Sequence, residues 1–355
     1  MAYLFVPGPV DVDPGVAMAQ TRAMEPHRSK EFEALFRRAS ENAQALFGTQ
    51  YRVFISTSSG TGLHEAAVRN FSKERILSCV NGAFSKRWYE VATTNGKAAD
   101  KLDVEWSRPV TGEVVAEALK KQHYDLVTVV QNETSTGMMN PVDEIAAAVR
   151  EVSPDTLIAV DSVSSLSGAP MKMDAWGLDF VLTSSQKALA LPPGISLGAT
   201  SDRALAYAET VPNRGWYFDL LRLEKHRLKD STPATPAVAL IYALDVQLAR
   251  ILAEGVEARW ARHKAMSERV QAWAVERGFE MYAPAGYRSY TVSTVTNTHA
   301  LDIAALNKFL LQRGMRLSNG YGDLKNKTFR IAHMGEVHME DVDTLLAAID
   351  AYMAQ

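Results

Sequence analysis

Along the N-terminal two-thirds of the chain, short continuous apolar runs alternate with stretches whose apolar positions return every three or four residues. The runs at 52–57, 75–80, 101–106, 125–131, 156–161, 179–183 and 196–200 predict strands. Most are apolar at consecutive positions, not at every second one, as expected of strands covered on both faces. Between them, 62–70, 84–94, 113–122 and 141–152 predict helices. Strand–helix alternation at this spacing predicts an α/β domain built on a mainly parallel, seven-stranded sheet.

The pattern changes after about residue 230. A long helical stretch at 236–254 is followed, after Gly255, by another at 256–277. A strand at 289–296, a helix at 301–313 and a strand at 328–332 come next. Val342, Leu345, Leu346, Ile349 and Tyr352 then share one helical face. This predicts a larger domain over 1–235 and a smaller α+β domain over 236–355, entered through the 236–254 helix.

Composition narrows the function classes. The 355 residues are 47% hydrophobic and 22% charged, which excludes disordered, collagenous and coiled-coil chains. A net charge of −3 gives no electrostatic reason to expect nucleic acid or an anionic membrane as partner. A single cysteine, Cys79, rules out an intrachain disulfide and a multi-thiolate metal site. No secretory signal and no span of about 20 apolar residues is evident, so a cytoplasmic setting is expected.

Three segments carry candidate chemistry. In the first, Thr183-Ser184-Ser185-Gln186-Lys187-Ala188-Leu189, a lysine follows a buried strand among small and apolar residues. Desolvation there lowers an amine's pKa and frees it as a nucleophile toward carbonyls. In the second, Leu157-Ile158-Ala159-Val160-Asp161, a buried strand ends in a carboxylate, at the position where open α/β sheets bind ligands. A buried carboxylate needs a partner. The protonated ring nitrogen of pyridoxal phosphate would be one, and Asp161 and Lys187 at neighbouring strand ends could converge on such a ring. In the third, Ser58-Ser59-Gly60-Thr61-Gly62 is a hydroxyl- and glycine-rich turn opening a helix, a phosphate-site pattern. It is neither a Walker A loop nor a dinucleotide fingerprint, whose third glycine position holds Glu65. Alone, each segment has a plain structural reading: a surface lysine, a capping aspartate, an ordinary turn.

Together, Val160-Asp161-Ser162-Val163-Ser164-Ser165-Leu166, Ser185-Gln186-Lys187-Ala188-Leu189, Pro192-Pro193-Gly194 and the serine/glycine turn resemble the class V aminotransferases, fold-type I pyridoxal phosphate enzymes. The alanine–glyoxylate and serine–pyruvate/serine–glyoxylate group is nearest in pattern. The resemblance implies that Lys187 forms the Schiff base with pyridoxal 5'-phosphate and shuttles the substrate's α-proton. It implies that Asp161 meets the ring nitrogen, and that Ser59, Gly60, Thr61 and Gln186 hold the phosphate. It places Thr134 near the ring oxygen and Phe84 and Val163 on the ring faces. It assigns the substrate α-carboxylate to Arg330 and a pocket wall to Gly8. Thr235 would reach across a homodimer interface to the neighbour's phosphate. The family's tyrosine before that threonine is missing, with Thr232 in its approximate place.

The implied activity is transfer of an amino group from alanine or serine to a 2-oxo acid such as glyoxylate or pyruvate. Phosphoserine aminotransferases are the alternative, because His27-Arg28 resembles their phosphate-binding pair. Their second His-Arg has no counterpart in Gly322-Asp323-Leu324-Lys325-Asn326-Lys327. A cofactor-binding protein without catalysis is more remote. A desulfurase is not expected, since Cys79 sits inside a predicted strand. A zinc hydrolase is not expected either, since the eight histidines form no metal motif.

Overall fold

The computed structural model of the protein describes residues 3–355. Its larger sheet has seven strands in the order Arg52–Ser56, Ser196–Thr200, Phe180–Ser184, Leu157–Asp161, Leu126–Val130, Arg75–Val80 and Ala98–Asp103. All pairings are parallel except the two made by Ser196–Thr200, which runs against both neighbours. The expected mainly parallel sheet is therefore present. The strand expected at 101–106 lies instead at Ala98–Asp103. This is an edge strand, with no fully buried residue. With only one neighbour it does not need an apolar sequence, so the apolar pattern located it poorly.

Successive side chains along a strand point to opposite faces. Ile158, Val160, Val181 and Leu197 enter a core with the helices Lys30–Phe47, Val142–Val152 and Val238–Glu254. Leu157, Ala159, Phe180 and Leu182 enter another with the helices Gly60–Asn70 and Ala83–Thr94. Continuing the alternation, Asp161 and Ser184 fall on the face of the second set. In register, Asp161 pairs with Leu182, so the two strands end side by side.

The smaller sheet is ordered Tyr3–Phe5, Met315–Asn319, Thr328–Ala332, Val292–Thr296, Glu280–Met281. It packs with the helices Val256–Glu276, Ile303–Leu311 and Met339–Met353. Two features cut across a division at residue 236. The N-terminal strand Tyr3–Phe5 pairs in parallel with Met315–Asn319. The helix Val238–Glu254 buries its apolar face in the larger core. The sequence reading also lacked the helix Lys30–Phe47, although Ser29 caps it, accepting from the Phe32 amide, and left-handed Gly48 ends it.

The two sheets are tied beneath the candidate lysine. Arg259, 1% exposed, donates to Glu254 at 2.7 Å, to Glu336 at 2.9 Å, and to the carbonyls of Ala188 and Gly335, both at 3.1 Å. Ser167 donates to the same Ala188 carbonyl at 2.8 Å. The peptide just after Lys187 is thus held from both parts of the chain. Removing one member of a buried ionic network leaves its partners desolvated and unpaired. Arg259→Met is expected to lower unfolding free energy by about 3 kcal/mol, measured by chemical denaturation.

Candidate active site

Asp161 ends its strand facing the helix Gly60–Asn70, and both its oxygens are used. Oδ2 bonds His64 Nε2 at 2.7 Å, and Oδ1 accepts from the Val163 amide at 2.7 Å. His64 stacks on Trp88 with ring centroids 4.5 Å apart, and the Trp88 indole donates to the His64 carbonyl at 3.2 Å. His64 Nδ1 is buried with no partner. The ring's one side-chain bond therefore runs through Nε2 to Asp161.

Lys187 leaves the neighbouring strand end and donates from Nζ to the Pro7 carbonyl. Burial, then the nearby Arg330 charge, push its pKa down to about 8; Asp161 pulls the other way and Arg87 adds to the lowering. Among the described residues Lys187 has no carboxylate in ion-pair contact. Gly8 lies against it: a Cβ there would sit 2.5 Å from Lys187 Cδ and 2.8 Å from Nζ, with φ at +95°. Only glycine tolerates both conditions.

The turn at 59–61 opens its helix without a side-chain cap from Ser59. The Gly60 amide donates to Ser184 Oγ at 3.2 Å, and Ser184 donates to Gln186 at 2.6 Å. A Cβ at Gly60 would stand 2.7 Å from Val163 Cγ2. The exposed Ser59 and half-buried Thr61 thus sit at a helix N-terminus beside Gln186 and Val163. Such a terminus attracts anions, because its amides and dipole favour negative charge.

Arg330, 7% exposed, donates to the carbonyls of Asn319 at 3.1 Å and Thr134 at 3.3 Å. No carboxylate among the described residues pairs with it. Burial pushes its pKa down to about 10, opposed by Tyr321 and Glu133. It therefore stays charged at neutral pH while lacking an anion. The Thr134 hydroxyl donates to Ser164 at 2.8 Å. Phe84 begins the helix Ala83–Thr94, whose N-cap is glycine and supplies no side-chain oxygen. Glu133 takes that role, accepting from the amides of Phe84 at 3.2 Å and Ser85 at 2.9 Å and from the Ser85 hydroxyl at 2.9 Å. It is fully buried and fixes where the Phe84 ring starts.

Contacts link these candidates in series: Gly8 lies against Lys187, Ser184 joins Gly60 to Gln186, Val163 touches both Gly60 and Asp161, Thr134 bonds Arg330, and Tyr321 bridges Arg330 to Phe84, with Ser59 and Thr61 flanking Gly60. Among the described residues His27, Arg28 and Thr235 make no side-chain hydrogen bond to that group. Arg28 donates to the Ser231 hydroxyl at 3.0 Å and the Thr232 carbonyl at 3.5 Å. Thr235 is exposed in a shallow cleft with Thr57, Tyr217 and Thr232. The sequence reading missed His64, Trp88, Glu133, Arg87 and Tyr321. His64 had a signal, lying one helical turn beyond Gly60 on the sheet-facing side.

The residues present fit pyridoxal phosphate. The site combines a desolvated amine with no acid partner, a carboxylate backed by an imidazole, and an uncapped helix N-terminus for the phosphate. In the cofactor-free protein, acylation of Lys187 is expected to rise with pH about a midpoint near 8, followed by peptide mass spectrometry. The neutral amine is the reactive form, so reactivity grows as pH passes the pKa. Arg330→Met removes a lowering charge and is expected to move that midpoint upward.

Comparison with known proteins agrees with this geometry. The family "Aminotransferase class-V" matches residues 17–345. A serine–glyoxylate aminotransferase of Methylorubrum extorquens is 31% identical, over 95% of this chain and 87% of that one. The crystal structure of an aspartate aminotransferase of subgroup IV from Thermus thermophilus superposes with a TM-score of 0.92 at 30% identity, covering 99% of each chain. An alanine–glyoxylate aminotransferase from Nostoc sp. gives 0.93 at 28%, covering 99% of this chain and 95% of that one. With its mainly parallel seven-stranded sheet and the cleft at its strand ends, the chain belongs to the class V aminotransferases of fold-type I, and its cofactor is pyridoxal 5'-phosphate.

Proposed function

We propose that the enzyme transfers the amino group of a small amino acid, alanine or serine, to a 2-oxo acid such as glyoxylate or pyruvate, by a ping-pong cycle in one site. The observation that carries this reading is Arg330, a buried guanidinium without an acid, in the cleft that holds Lys187. Amino acid and 2-oxo acid share an α-carboxylate, and a planar guanidinium reads that group bidentately. Names of similar proteins support the substrate class: serine–glyoxylate, alanine–glyoxylate and aspartate aminotransferases.

Pyridoxal phosphate, when bound, supplies an electron sink for negative charge at the substrate's α-carbon. The chain's own residues do the rest. Lys187 holds the cofactor's aldehyde at rest. As a free amine it would move the proton at the substrate's α-carbon. Asp161 would meet the ring nitrogen and favour its protonated form, with His64 and the Val163 amide keeping the carboxylate oriented. Ser59, Gly60, Thr61 and Gln186 would hold the phosphate, Thr134 would serve the ring oxygen, and Phe84 and Val163 would cover the ring. Gly8 lets backbone line the substrate pocket.

Two further parts of the reading concern assembly. A homodimer brings Thr235 to the neighbour's phosphate; the exposed aromatic pair Trp216 and Tyr217, close to that segment, gives such an interface apolar surface. The chain divides functionally into a cofactor-binding part over 1–235 and a smaller part over 236–355, and we assign it to the cytoplasm. Phosphoserine is the weaker alternative substrate. Arg28 is occupied by Ser231 and Thr232, and Lys325 and Lys327 are exposed on the loop before Arg330.

A half-reaction screen tests the substrate. The cofactor-loaded enzyme is mixed with alanine, serine, phosphoserine, glutamate and aspartate, and single-turnover rates are compared by absorbance. Alanine or serine is expected to be fastest; dominance of phosphoserine with glutamate overturns the reading. Lys187→Ala is expected to abolish turnover while noncovalent cofactor binding persists. Arg330→Ala is expected to raise KM by about tenfold to a hundredfold for donor and acceptor alike. An effect on one substrate alone contradicts the shared site.

A further inference from the structure

We propose that Tyr321 sets the length of substrate side chain this site accepts, acting as a roof between the residue over the cofactor and the residue for the carboxylate. This rests on the reading of Arg330 and Phe84 given above. The Tyr321 ring stacks on Phe84 with centroids 5.3 Å apart and planes 25° from parallel. The Arg330 guanidinium lies 5.5 Å from the centroid of the same ring. Arg87 donates to the Tyr321 hydroxyl at 3.3 Å, while its own guanidinium stands 5.0 Å from the Phe84 centroid. One ring is thus held on three sides by two cations and an aromatic.

The loop that carries Tyr321 is tied at its base. The Gly320 amide donates to the Thr328 carbonyl at 2.8 Å. Asn319 Oδ1 accepts from the amides of Gly320 at 2.7 Å and Asn326 at 2.9 Å. Gly320 has no room for a side chain, because a Cβ would collide with the Leu324 carbonyl. Asn319 also supplies the carbonyl that orients Arg330 Nε at 3.1 Å. The carboxylate reader and the roof therefore share one anchor, and their separation is set by backbone bonds. Tyr321 is 37% exposed, so the ring is part covered by Phe84 and Arg330 and part open to solvent.

A substrate with its carboxylate on Arg330 and its α-carbon at Lys187 has its side chain beside this ring. A methyl or hydroxymethyl group fits under a fixed roof with little displacement. A longer aliphatic chain must break the stack with Phe84 or the bond to Arg87. A pocket of this kind discriminates by sterics, at roughly tenfold to two-hundredfold per methylene-sized misfit.

The test uses the cofactor-loaded enzyme and the variants Tyr321→Phe and Tyr321→Ala. Binding of propionate and pentanoate, neither of which can react, is measured by calorimetry. Single-turnover rates with alanine and norvaline are measured alongside. Tyr321→Phe keeps the ring and is expected to keep the parent's preference for the short partner in both measurements. Tyr321→Ala is expected to shift the pentanoate-to-propionate and norvaline-to-alanine ratios at least tenfold toward the longer partner. Ratios unchanged in Tyr321→Ala overturn the roof, as does a loss of preference in Tyr321→Phe equal to that in Tyr321→Ala. A parent that transaminates no amino acid refutes the proposed function separately, and the carboxylate ratios still decide the role of Tyr321.

Discussion

Everything in this site depends on keeping a buried amine and a buried carboxylate in one cleft without letting them neutralise each other. A direct pair between Lys187 and Asp161 would stabilise the ammonium and remove the nucleophile. The geometry opposes it by engaging the carboxylate elsewhere, while each oxygen keeps a second lone pair for a further donor. Both Asp161 oxygens are taken, one by His64 and one by the Val163 amide. Lys187 is left with a backbone carbonyl, from Pro7, which solvates the amine without contributing a full negative charge. Burial and Arg330 then outweigh the distant pull of Asp161, and the amine's pKa settles near 8.

The cations follow the same logic with the opposite sign. Arg330 is buried against carbonyl groups, which hold its plane but do not cancel its charge. A guanidinium tolerates this because its charge is delocalised and its pKa, though lowered to about 10, stays above neutrality. Such a group suits the carboxylate-reading role proposed for it. Glu133, the acid nearest in the fold, is withheld from it. Its oxygens are spent on the amides at the head of the Ala83–Thr94 helix and on the hydroxyls of Ser85 and Ser135. One carboxylate thereby caps the helix that carries Phe84 and makes no pair with Arg330.

The cleft is a junction, and its parts come from distant stretches of the chain. The N-terminal segment delivers Pro7 and Gly8 against Lys187, although the strand just before them belongs to the smaller sheet. The smaller sheet delivers Arg330 and the loop of Tyr321. Arg259 joins these pieces below the site, bonding the carbonyl after Lys187 and the Gly335 carbonyl at once. A change in how the smaller sheet sits would therefore reach Lys187 through hydrogen bonds as well as through packing.

The strands that carry the candidate lysine and carboxylate were readable from the chain. A buried strand on both faces must be apolar throughout, so the strands at 75–80 and 196–200 stood out with correct bounds. A carboxylate or lysine at the end of such a run is conspicuous because it breaks the pattern. What the sequence concealed were the partners. His64, Glu133 and Tyr321 look like ordinary helix, strand and loop residues, and each acquires its role only from a neighbour far along the chain: Asp161, Phe84 and Arg330 respectively. The helix Val238–Glu254 and the strand Tyr3–Phe5 likewise packed with elements that local pattern does not name. Local periodicity reports how a segment meets water, which is a property of that segment alone. Which two segments meet is set by how the whole chain closes its cores, and no single stretch contains that information.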